Sequence, residues 1–104
     1  MIKEGFMNCT KAAYDQERKN QLETIKLRLQ RLYASASTLR DCYSRADGEY
    51  IRLFSKKGAT QDEITEGRKI REEAFNNLND VEQEIKDVER EAVREFPRHF
   101  KFLR

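Results

Sequence analysis

Few side chains in this 104-residue sequence could do chemistry, and they are scattered. His99 is the only histidine, so no pair of imidazoles can hold a metal within one chain. Glu95 and His99 stand four apart, which is a ligand spacing on a helix. Pro97 lies between them and breaks the helical geometry that the spacing needs. Cys9 and Cys42 are far apart, show no metal-type spacing and have no base beside them in sequence to activate a thiol. Cys42 flanks the apolar seam described below, where cysteine acts as a small hydrophobe. No glycine-rich loop is present to cradle a phosphate, and the glutamates read as helix surface, not as a carboxylate pair in a cleft. The chain is expected to be non-enzymatic, with no cofactor and no metal.

Binding chemistry is better represented. The tail, residues 96–104, holds Phe96, Phe100 and Phe102 among Arg98, Lys101 and Arg104, with Leu103 beside them. Aromatic rings among fixed positive charges suit a docking peptide, an RNA contact or a membrane-surface contact; equally, they suit a cap folded over the open end of the chain's own core. Lys56 and Lys57 sit together at a break in the pattern, where exposed lysine can meet a nucleic-acid backbone or simply face water. Arg71 occupies an otherwise apolar register position. It either fixes that register or lays its stem over a small residue, with its guanidinium near Asp47 or Glu72.

The elements that would position these groups are helices. From Leu22 the apolar positions run Leu22, Ile25, Leu29, Leu32, Ala36, Leu39, then Tyr43, Ala46, Tyr50, Leu53, with spacings that alternate 3 and 4 throughout. That is a heptad seam of more than four repeats. Gly48 is its one weak helix former. Ser55-Lys56-Lys57-Gly58-Ala59 breaks the pattern, with Gly58 placed to end a helix in the left-handed conformation. Thr60-Gln61-Asp62-Glu63 then reads as a capping box that starts a second helix. The second seam is Ile64, Gly67, Arg71, Ala74, Leu78, then Val81, Ile85, Val88, Ala92, and Pro97 should end the helix near Phe96.

Folding the chain back with Leu53 opposite Ile64 gives layers whose residue numbers sum to 117. Tyr50 then meets Gly67, Tyr43 meets Ala74, Ala36 meets Val81, and Ala46 meets Arg71. Each bulky aromatic faces a small residue and each seam alanine faces something larger, which keeps the seam's width constant. The expected fold is all-α: a long antiparallel helical hairpin, a coiled coil, forming one domain. Its helices span about 8–55 and 61–96, with a turn at 56–60 and a tail at 97–104. Residues 6–21, with Phe6, Met7 and Tyr14, should extend the first helix, and the tail should fold on that extension and bury Phe100 and Phe102 near Tyr14.

Composition agrees. Charged and hydrophobic residues are each 38% of the chain, normal for helices whose surfaces are mostly wet. Residues 1–59 carry 12 Lys/Arg against 7 Asp/Glu, whereas residues 60–95 carry 6 against 12, so the two helices attract. No apolar run reaches membrane-spanning length, and residues 1–6 lack the apolar stretch of a secretory signal. Free thiols in a reducing compartment, the cytoplasm, are expected.

The apolar residues off the seam point to function. Leu27, Tyr33, Ile51 and Phe54 on the first helix, and Ile70, Phe75, Val93 and Phe96 on the second, cannot all join a two-helix seam. Such residues call for another helix alongside, from a protein partner or a second copy. All of these but Ile51, together with Phe100, Phe102 and Leu103, are the expected partner-binding residues of a coiled-coil structural or adaptor subunit. The alternative is a nucleic-acid or ribonucleoprotein contact through Lys56, Lys57 and the basic first helix.

Overall fold

The structure is a computed structural model that describes the backbone of residues 2–103 and the side chains of residues 11–103. Phe6, Met7 and Cys9, named above, lie outside the described side chains. The fold is all-α. Helix α1 spans Ile2–Ser55 and helix α2 spans Gln61–Glu95; they pack against each other as a helical hairpin, and a short 3-10 turn, Lys101–Leu103, closes the chain. The contacts divide the chain into two compact units, Arg31–Asp87 and the pair of segments Met1–Gln30 and Val88–Arg104.

Local chemistry sets the helix ends. After Ser55 the Lys56 N–H donates to the Leu53 carbonyl at 3.3 Å, and Gly58 takes φ +86°, which a residue with a Cβ adopts only at a cost. Thr60 caps α2. The Glu63 N–H donates to Thr60 Oγ1 at 3.1 Å and the Ile64 N–H donates to the Thr60 carbonyl at 3.1 Å. At the other end the Phe96 N–H still reaches the Ala92 carbonyl at 2.8 Å. Pro97 then turns the chain, and the Phe96 carbonyl accepts from both His99 and Phe100.

In the unit Arg31–Asp87, burial follows the heptad register. On α1 from residue 31 to residue 55, every residue that is not exposed is a seam position, apart from Asp47. On α2 from residue 61 to residue 87 the same holds, apart from Glu82. The pairing of Tyr50 with Gly67 is also seen: a Cβ built on Gly67 would lie 3.6 Å from Tyr50 Cδ2 and 2.9 Å from Leu53 Cδ1. Gly67 thus provides the space that these two larger side chains occupy.

The other unit is the drier of the two. Leu22 and Leu29 from α1, Val88 and Ala92 from α2, and Phe96 and Phe100 beyond it are all buried. The tail does close the core, with Phe100 as expected but without Phe102. Phe100 is 3% exposed, whereas Phe102 is 75% exposed and Tyr14 is also exposed. The turn after Pro97 sets the difference: the Phe100 N–H donates to the Phe96 carbonyl at 3.2 Å, and Phe100 is buried with Phe96 while Leu103 is half-buried. Arg18 seals this end, with its guanidinium 4.4 Å over the Phe96 ring.

Candidate interaction surface

An antiparallel pair of helices has two flanks, made by the heptad positions on either side of each seam residue. In Arg31–Asp87 the flank just after the second seam position of each heptad carries Arg40, Asp47 and Phe54 from α1 and Arg68, Phe75 and Glu82 from α2. It is knitted together within the chain. Arg40 Nε lies 3.4 Å from Glu82 Oε1, and Arg71 Nη1 lies 3.4 Å from Asp47 Oδ1. The Arg71 guanidinium also covers the Tyr50 ring at 4.5 Å, so its place in the seam is occupied by a stem that leans out over an aromatic face. Tyr43 and Phe75 meet at 5.7 Å between ring centroids, tilted by 56°. A hydrogen bond with Tyr50 holds the Arg68 guanidinium above its ordinary pKa. What remains open on this flank is a hollow of about 400 Å³ beside Phe75 and Tyr43.

The opposite flank is built differently. Its floor is Ala46, Leu53 and Gly67, all half-buried, with Cys42 and Ile70 as apolar walls. Three of these five side chains are short or absent, and Arg71 and Tyr50 lean to the other flank, so a groove of about 840 Å³ is left between the helices. Its rim is charged: Glu49, Asp62, Glu63 and Glu66 against Arg45. Its chemistry is the uptake of an apolar side chain between negative edges.

The residues expected to bind a partner do not form one stripe. In Arg31–Asp87, Tyr33, Phe54 and Phe75 stand on the knitted flank, while Ile70 stands on the groove flank; all four are exposed. In the other unit Leu27 and Phe102 are exposed and Val93 and Leu103 are half-buried. Phe96 and Phe100 are committed to that unit's own core and are not presented to a partner. Lys56 and Lys57 are exposed at the turn, and the acid-bearing first turn of α2, with Asp62 and Glu63, follows them. The groove itself was not foreseen in the sequence. Its signal was the adjacency of two layers, Tyr50–Gly67 and Ala46–Arg71, each with its bulk on one helix and a small residue on the other.

Among the described residues no helix is long and apolar enough to cross a membrane, and no three His, Cys, Asp or Glu residues gather as a metal site. Comparison with protein families, with curated proteins and with solved structures finds no match to this chain.

Proposed function

We propose that this protein is a non-enzymatic helical-hairpin adaptor, which joins another protein through the turn-proximal part of its Arg31–Asp87 unit. One observation carries the reading. Between Ala36 and Ile85 no residue is buried, although the seam register runs through the whole segment. Two helices alone cannot dry that seam. Each side chain left half in water forgoes part of the roughly 1.5–3 kcal/mol that full burial of a large apolar side chain contributes. The same segment exposes Ile51, Phe54, Ile70 and Phe75. A further helix laid along either flank would cover the half-wet seam together with that flank's exposed side chains, Phe54 and Phe75 on one side or Ile70 on the other, and stabilise the fold by mass action. Lys56 and Lys57 offer two charges beside several acids, which is weak ground for a nucleic-acid contact. The exposed free thiol of Cys42 suits a reducing compartment such as the cytoplasm.

The test is helical circular dichroism together with light scattering on the full chain over a wide concentration range. Incomplete helicity or a weakly cooperative melt of the free chain supports the reading, because the seam then awaits its partner. A fully helical, cooperatively melting monomer whose melting does not depend on concentration overturns it.

A further inference from the structure

The groove over Gly67 has a shape and a charge that together specify an occupant, and the inference rests on the adaptor reading above. We infer that it takes one amphipathic helix of a different protein, with a bulky apolar anchor flanked by lysine or arginine. The depth comes from Ala46 and Cys42, whose side chains are too small to fill the space between the helices, while Leu53, seated against Gly67, and Ile70 give the anchor apolar walls. The sign of the flanks comes from the rim, where Asp62, Glu63 and Glu66 stand with Glu49, itself paired with Arg52, against Arg45. A second copy docked groove to groove about a two-fold axis would bring the same four carboxylates against themselves, which disfavours the homodimer. A basic helix meets them with opposite charge along both edges, and this also steers its approach.

Cys42 makes the proposal measurable, because its exposed thiol is a wall of the groove. In the full chain carrying Cys9→Ser, Cys42 is the only thiol left, and its rate of alkylation by a bulky maleimide reports access. The probe is a synthetic three-heptad peptide with leucine at the first and fourth heptad positions and lysine at the flanking ones. Its twin has glutamate in place of every lysine. The lysine peptide should slow alkylation and bind roughly tenfold tighter than its twin at low salt, since exposed charge pairs with Asp62, Glu63 and Glu66, each of ordinary small worth, add to about that ratio. Glu49→Lys combined with Glu66→Lys, both at exposed positions inside the helices, should reverse the preference. Ile70→Ser should weaken both peptides while leaving the helicity of the chain unchanged.

Equal protection by both peptides, or protection by neither, overturns the proposal. Alkylation that slows with protein concentration alone, with no peptide present, also overturns it and makes a second copy the occupant. These outcomes stay separate from failure of the adaptor reading. A concentration-independent, fully helical monomer removes that reading whatever the peptides do. Incomplete helicity of the free chain with an unprotected Cys42 removes only the groove's assigned occupant.

Discussion

Arg18 ties the end of α2 to α1 twice over: its guanidinium lies 4.4 Å above the Phe96 ring, and its Nη2 donates to the Glu95 carbonyl at 2.9 Å. The last carbonyls of any helix lack partners within the helix, and here a side chain from the other helix supplies one. Nη1 adds a longer contact to Glu95 Oε2 at 3.4 Å, which is exposed enough to count for little. Arg18→Ala should cost about 1–2 kcal/mol in a denaturant titration followed by circular dichroism. Arg18→Lys should recover less than half of that, because an ammonium cannot stack on the ring and donate to the carbonyl with one planar fork. Full recovery with lysine would mean that only the charge matters.

The tail separates into a structural ring and an exposed one. Phe100→Ala should destabilise the chain by about 3 kcal/mol, as for other buried phenylalanines. Phe102→Ala should change stability by less than about 0.5 kcal/mol, as for exposed sites without special partners. The rings are close, with centroids 6.1 Å apart, so the contrast tests which of them faces the core and not merely their proximity. Equal costs would place Phe102 inside the core as well.

Two glycines should answer oppositely to the same methyl group. A Cβ at Gly48 meets nothing within 4 Å, so Gly48→Ala should stabilise α1 by about 0.5–1 kcal/mol through helix propensity alone. At Gly67 the new Cβ would stand 2.9 Å from Leu53 Cδ1, and the leucine must shift before any propensity gain appears. Gly67→Ala should therefore give a smaller gain than Gly48→Ala, or a loss. Thermal melts of both variants at matched concentration check the order.

The architecture was legible because a heptad seam repeats its evidence. A few layers fix the register when Tyr50 already demands a small partner and Gly67 supplies one. The turn was legible for a similar reason, since Gly58 and Thr60 each have one conformational role that suits them there. The surfaces were harder. Whether Phe100 or Phe102 turns inward depends on how the chain leaves Pro97, which no helical period governs. The side to which Arg71 leans depends on the Tyr50 ring and Asp47 together, and that choice keeps its side chain out of the groove's lining. Periodicity fixes which residues face the seam, while flanks are decided by side-chain direction.

Burial is uneven along the hairpin, and amide exchange should show it. Val88, Ala92 and Leu29 are nearly sealed from water, whereas between Ala36 and Ile85 the seam is only half-buried. Opening free energy follows buried apolar contact, so amides at 22–29 and 88–96 should be the slowest to exchange. Amides at 43–53 and 64–74 should exchange through smaller local openings. If the adaptor reading is right, the second set is also where protection rises when a partner helix binds, because that is where water is displaced. In native-state hydrogen exchange of the free chain, uniform protection along α2 would show that the turn-proximal seam needs no partner. A gradient along α2, slow near Val88 and fast near Gly67, would locate the unfinished part of the core beside the groove.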